Sequence, residues 1–399
     1  MFWRFWSASV LANLGDGIRL AAFPLLAASL TSSPVGVALV AAAQTVPWLV
    51  GGLPAGVLAD RRGARGLLAG ADTVRVAVLA VLVCAVVLGW ATIGLAIGAS
   101  VVLGLCETVR DTAASTALPA LVPAAELERA NGRLAAGSIV GNEFAGPPLG
   151  AVLFGVGAAL PFLANGAALS LAVLLVLSLP LTRHRAVPGA AAPAGGGGVR
   201  DGLRWLLRHR VLRTLVVVVT VVAAADSAWF ATFVLYAQQQ LGLAPLGFGV
   251  LLGTGAVGGV AGSLLADRIL AGRHHRAVVG WSTAVAAGVP AMLLAGPHLW
   301  SAVAVIVLTS AAFAVVNVTA VSLRQRLTPQ ALLGRVTATS STVVLGGTAA
   351  GALLGGVLAG AAGVRAPFLF CAAAACVATP LWWAATRPAA TGGAWPLGS

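Results

Sequence analysis

The chain has 399 residues, 59% hydrophobic and only 9% charged, with a formal net charge of +13. Soluble domains are about 25% charged, so this composition excludes a protein whose main surface faces water. At roughly 20 residues per crossing and short loops, the length accommodates about a dozen membrane spans.

All of the 24 basic residues are arginine. They cluster in alternate loops instead of on one face, which argues for membrane topology and against a nucleic-acid partner. The bias to Ala, Gly and Arg without Lys reads as a GC-rich bacterial genome. Met1 to Trp6 lack the charged n-region and cleavage site of a leader, so the first helix is expected to be retained. Spans are predicted at 7–30, 34–58, 67–90, 93–117, 132–156, 159–181, 213–236, 245–266, 277–296, 299–321, 335–361 and 366–386. The even-numbered loops and the termini carry 20 arginines, whereas the odd-numbered loops carry only Arg365. That bias predicts both termini in the cytoplasm of a multi-pass inner-membrane protein.

The first apolar run to give way to dense charge does so at Gly56 to Leu68, where Asp60, Arg61, Arg62 and Arg65 flank Gly63 at the corner of a tight turn. Gly56, then Asp60-Arg61-x-Gly63-x-Arg65, resembles the signature loop between helices two and three of the major facilitator superfamily of transporters. A basic residue of that signature is replaced by Ala64. A degenerate second copy stands at Ser263-Leu-Leu-Ala-Asp267-Arg268, with the two aspartates 207 positions apart, about half the chain. Recurrence at half-length argues for internal duplication. The stretch from Leu323 to Val336 and the Pro119–Asn131 stretch after span 4 are similar to the enterobactin-exporter and macrolide-efflux branch of the same superfamily.

The resemblance implies an all-α integral membrane fold: twelve transmembrane helices in two pseudo-symmetric six-helix bundles around a central cavity. The expected organisation is a first bundle over residues 1–182, a cytoplasmic linker over 183–212, a second bundle over 213–387 and a tail over 388–399. Within the linker, Arg200, Arg204 and Arg208 recur at i, i+4 opposite Leu203, Leu206 and Leu207. That pattern predicts an amphipathic helix lying on the inner membrane surface.

Ionisable residues inside spans are costly and mark function by default. Asp16 with Arg19, Asp72 with Arg75, and Glu107 with Arg110 are i, i+3 pairs whose members share a helix face. Each acid is therefore expected to be neutralised by its own helix. Asp72 and Arg75 read as structural or gating residues. The superfamily links a span-4 arginine to proton coupling, which makes Arg110, followed by Asp111, a candidate. Glu143 and Asp226, in spans 5 and 7, have no local arginine. Each must be protonated, paired across helices or facing water, which makes both proton-carrier candidates, with Asp16 and Glu107 behind them.

Gly146-Pro147-Pro-Leu-Gly150 in span 5 resembles the glycine–proline element of superfamily antiporters, although Arg133 and Asn142 stand where glycines are expected. Small residues allow close helix approach and prolines kink helices. A small-residue face from Gly346 to Gly356 in span 11 reads as packing. Trp3, Trp6, Trp90, Trp205, Trp300, Trp382 and Trp383 fall near span ends and read as interfacial anchors. The deeper Trp48, Trp229 and Phe230, with Arg19 and Asn142, are candidates to line the cavity.

Cys84, Cys106, Cys371 and Cys376 all lie in apolar runs and read as small core residues. There is no phosphate-cradling loop, nucleophile elbow or metal cluster in the sequence. The expected function is export of a small amphipathic molecule by a monomer, driven by protons and with no cofactor. Symport in the opposite direction is the alternative, followed by a non-transporting membrane sensor.

Overall fold

The computed structural model describes residues 1–123, 126–179, 199–271 and 275–387. Of the loop signature, Gly56 lies within a helix, and the side chains of Asp60, Arg61 and Asp267 lie outside the described residues.

Long apolar runs produce long helices because a backbone in lipid must satisfy its own hydrogen bonds. In chain order these are α1 (Phe2–Leu30), α2 (Pro34–Arg62), α3 (Ala64–Val87), α4 (Ile93–Ala117), α5 (Leu127–Ser138), α6 (Gly146–Val156) and α7 (Leu160–Leu177). They continue as α8 (Val199–Arg208), α9 (Arg210–Phe230), α10 (Phe233–Gln239), α11 (Pro245–Ala271), α12 (His275–Gly288), α13 (Leu299–Leu327), α14 (Gln330–Ala362) and α15 (Ala366–Ala385). Among the described residues, eleven helical segments are long and apolar enough to cross a membrane, and the apolar part of α2, Pro34–Leu49, adds a shorter one. The outer faces fit that reading: Leu264 is 73% exposed and Leu174 64%, a surface that only lipid would cover favourably.

The predicted span limits agree with these helices to within a few residues, with three informative departures. The polar loop at Gly56–Leu68 is almost entirely helical, and only Gly63 interrupts it, at φ 79°. An L side chain rarely tolerates that backbone. Span 5 is not one α-helix: α5 widens into a π-helical segment, Ile139–Ala145, before α6 begins. Pro147 and Pro148 have no N–H to give to the carbonyls four residues earlier. The register is instead absorbed by a wide turn, in which the Gly146 N–H reaches Gly141 O. Span 7 also breaks. The Thr232 N–H bonds Trp229 O at 3.3 Å, tightening the end of α9, and Phe233 restarts the helix as α10.

The described residues form two compact units, Met1–Ala194 with Phe233–Gly253, and Gly195–Thr232 with Thr254–Ser399. Thus α10 and the first turns of α11 pack with the first unit. There Phe233 stacks on Tyr236 with ring centroids 6.1 Å apart. The base of the first unit is a core of Phe5, Leu68, Ala113, Leu118 and Val176. In the second unit, Val218, Val222, Val279, Ala378 and Trp382 form the core. Trp382 is therefore no interfacial anchor: it is fully buried, and its Nε1 donates to Arg276 O at 2.7 Å. Trp90 and Trp300 remain exposed, as anchors should be.

The amphipathic helix forms where predicted, as α8. Its apolar side is shared. Leu206 is buried with Leu212, Val216 and Val336, whereas Leu203 and Leu207 are exposed. Gly202 lies directly against Arg335 of α14.

Candidate functional site

Three helices of the first unit each bring an acid–arginine set to one place. On α1, Asp16 and Arg19 lie 3.4 Å apart, and on α3, Asp72 and Arg75 lie 3.3 Å apart. These two pairs follow the i, i+3 expectation. The third does not: Glu107 of α4 pairs with Arg19 of α1 and not with Arg110. Arg110 instead reaches Asp72 through Nε at 3.1 Å, lies 3.8 Å from Asp111, and donates from Nη2 to Ala8 O at 3.3 Å. Arg75 also pairs with Asp16.

The result is one continuous ladder, Glu107–Arg19–Asp16–Arg75–Asp72–Arg110–Asp111, which ties α1, α3 and α4 together. Self-neutralisation on each helix is therefore only half the description, because neutralisation crosses between helices. The interior of the ladder is buried: Asp72 and Arg75 are fully so, and Asp16, Arg19 and Arg110 nearly so. The ends open outward, with the Glu107 side chain 17% and the Asp111 side chain 49% exposed. Arg19 Nε and Nη1 and Arg75 Nε have no hydrogen-bond partner among the described residues. Beside the ladder, the Asn165 side chain of α7 is buried, lacks a partner among the described residues, and packs on Gly15. An amide in an otherwise apolar run was the available signal for Asn165.

The glycine–proline element lies against the helix that carries two rungs of this ladder. Gly137 faces Trp6 and Val10 of α1, Gly141 faces Asn13 and Leu14, Gly146 faces Gly17, and Gly150 faces the Ile18 carbonyl. Successive steps along this face are four, five and four residues. The five-residue step crosses the π-helical segment, whose wider turn keeps all four glycines on one side. Gly17 in return abuts the backbone at Gly141 and Asn142. On the far side of α6, Pro147 and Ala151 meet Gly249, and Pro148 meets Gly253, of α11. Span 5 is thus in backbone contact on two sides.

The other predicted site residues fall elsewhere. Glu143 is exposed on the π-helical segment and makes no ion pair among the described residues. Asn142 and Trp48 are half-buried. Arg19 is a buried ladder residue and not a free lining group. Trp229, expected to line the cavity, is 3% exposed; its Nε1 donates to Asp226 Oδ1 at 3.1 Å. Arg65 of the loop signature donates to Leu177 O, at the end of α7, and Arg268 is exposed. Among the described residues, no group of histidine, cysteine, aspartate and glutamate could hold a metal ion.

The transmembrane secretion effector family matches residues 1–390. The multidrug efflux pump Tap of Mycobacterium tuberculosis is 29% identical over 279 residues, covering 66% of this chain. The same protein of Mycobacterium bovis matches equally. The chain spans 65% of the length of these relatives. Solved structures share the fold at low identity. A variant of the nucleoside transporter NupG aligns with a TM-score of 0.77 at 13% identity over 97% of this chain and 100% of that one. A bacterial homologue of the lysosomal transporter Spinster aligns at 0.75 and 14%, covering 96% of each chain. A bacterial homologue of the iron transporter ferroportin aligns at 0.75 and 14%, over 97% and 100%. With eleven membrane-length helical segments and a shorter apolar one among the described residues, this fold and a family match over nearly its whole length, the chain belongs to the transmembrane secretion effector family of major facilitator transporters.

Proposed function

We propose that this transporter exports small amphipathic molecules from the bacterial cytoplasm in exchange for protons, by alternating access and as a monomer. The observation that carries the reading is the buried ladder of α1, α3 and α4. Four carboxyls meet three guanidinium groups in it. Uncompensated charge is expensive in a low-dielectric bundle, so one added proton makes the set neutral. Asp16 and Asp72 each touch two arginines, whereas Glu107 and Asp111 touch one. The proton is held at an end, and Glu107, which bridges α4 to α1, is the end where its arrival releases an interhelical contact. Binding at one conformation more than another is what shifts a two-state equilibrium.

Export is supported by the relative named a multidrug efflux pump and by the glycine–proline element. The arginine asymmetry supports cytoplasmic termini. The loop signature at Asp60–Arg65 and its partner at Asp267–Arg268 are assigned to latching the cytoplasmic side.

Inverted membrane vesicles with an imposed inward-acid gradient test the reading. At least one member of a panel of amphipathic drugs and siderophores should accumulate, and a protonophore should abolish the accumulation. Accumulation that ignores the protonophore, or flux only in the opposite direction, contradicts proton-driven export.

A further inference from the structure

A single extended residue, His209, separates α8 from α9, and three hydrogen bonds lock that elbow. The His209 N–H donates to Trp205 O at 3.0 Å, the Leu212 N–H to His209 Nδ1 at 3.4 Å, and Arg213 Nη1 to Leu207 O at 3.1 Å. One side of α8 faces protein. Leu206 is buried with Leu212, Val216 and Val336, and a Cβ added at Gly202 would stand 2.8 Å from the Arg335 carbonyl carbon of α14. The direction of α8 is therefore set by α9 and α14 together.

The other side faces away from protein. Leu203 and Leu207, one turn apart, form an exposed strip, and Arg204 and Arg208 form a second strip beside it. Arg210 and Arg213 follow at the start of α9 and are also exposed. The bond to Leu207 O holds the Arg213 guanidinium against α8. Arg208, Arg210 and Arg213 make no ion pair with a described acid. A membrane-length apolar segment begins at Arg210. Cationic charge that the protein does not answer thus lies beside exposed leucines where the chain enters the membrane. Guanidinium groups pair with phosphate oxygens, and leucines at an interface gain from burial among acyl chains. An anionic phospholipid satisfies both. A free phosphate leaves the leucines in water, and a phosphatidylcholine headgroup brings its own cation to the arginines.

We propose that α8 and the arginines of its elbow form a docking site for an anionic phospholipid, and that the bound lipid holds the first turns of α14 through the Gly202–Arg335 contact. Further along, α14 lies against α9 at Gly347, Gly351 and Gly355, so the charge of the membrane reaches a close-packed helix seam of the second unit. Assigning the lipid to the cytoplasmic leaflet rests on the reading of the termini; the site itself rests neither on that nor on export.

The test uses the purified full chain in phosphatidylcholine nanodiscs, probed with phosphatidylglycerol and phosphatidylcholine that carry the same photoreactive acyl chain. Labelled peptides are mapped, and amide exchange is followed over residues 330–339. An arginine at an anionic surface contributes about fivefold, so phosphatidylglycerol should label residues 199–213 about tenfold or more above phosphatidylcholine. Arg208→Gln combined with Arg210→Gln, which leaves the Arg213 bond in place, should remove that preference. Arg129→Gln combined with Arg326→Gln, an equal loss of exposed charge elsewhere, should keep it. Phosphatidylglycerol should slow exchange over 330–339 in the wild type and not in the Arg208/Arg210 variant. In Gly202→Leu, labelling should persist while the slowing disappears. Equal labelling by the two lipids, an equal loss in both double variants, or displacement of the label by inorganic phosphate overturns the docking site. Wild-type exchange over 330–339 that ignores phosphatidylglycerol overturns the link to α14.

Discussion

Replacing Arg75 with methionine is expected to destabilise the first unit strongly and to abolish transport. Arg75 is fully buried and joins Asp16 of α1 to Asp72 of its own helix. Methionine fills much of the space but leaves each acid one arginine in place of two, Arg19 for Asp16 and Arg110 for Asp72, and removes the cation that separates them. Breaking a buried pair in this way costs about 3–5 kcal/mol, because the surviving charges stay buried. Against a typical net stability of about 5–15 kcal/mol, that is a large fraction. The thermal midpoint of purified protein should fall sharply, along with the folded yield. Adding Asp72→Asn should recover part of the loss, since the two residues are directly coupled. An unchanged midpoint in the single variant would mean that the ladder is not held as a buried ionic unit.

Replacing Gly150 with leucine is expected to stop transport while protein still reaches the membrane. A side chain at Gly150 would run into the Ile18 carbonyl of α1, and Gly146 lies against Gly17 in the same seam. Backbone cannot yield as a side chain can, so α1 must move away from α6. Overpacking of this kind costs about 1–3 kcal/mol, but the functional loss should be greater. The displaced helix carries Asp16 and Arg19, and with them two rungs of the ladder. The control lies on the same helix: Gly155 has open space around it, and Gly155→Leu should keep transport. Equal tolerance of both substitutions would show that the seam does not matter.

Much of this architecture is legible in the sequence because lipid leaves few choices. Apolar length predicts the spans, and Pro and Gly mark most of the breaks. The amphipathic pattern at Val199–Arg208 appears as a helix over those residues. Partnerships between helices are less legible. The i, i+3 spacing of Glu107 and Arg110 is real, yet Glu107 turns to Arg19 because α1 lies nearby, and one chain's spacing does not say which helices are neighbours. The same limit hid the single ladder behind three apparent pairs. Trp229 reads as a free aromatic until Phe368, more than a hundred positions away, is seen against it. The π-helical segment had a local signal in Pro147-Pro148, but its consequence, a five-residue step that keeps the glycines of span 5 facing α1, depends on the packed partner.

The most direct measurement of the central claim separates substrate movement from proton coupling in a single variant. Glu107→Gln and wild-type protein would be reconstituted in liposomes, and two fluxes compared for one exported drug: exchange without a gradient, and accumulation against one. If Glu107 carries the coupling proton, the variant retains exchange and loses gradient-driven accumulation. Gradient-driven accumulation at the wild-type level in Glu107→Gln would contradict the account and would remove the ladder's α1–α4 rung from the coupling path.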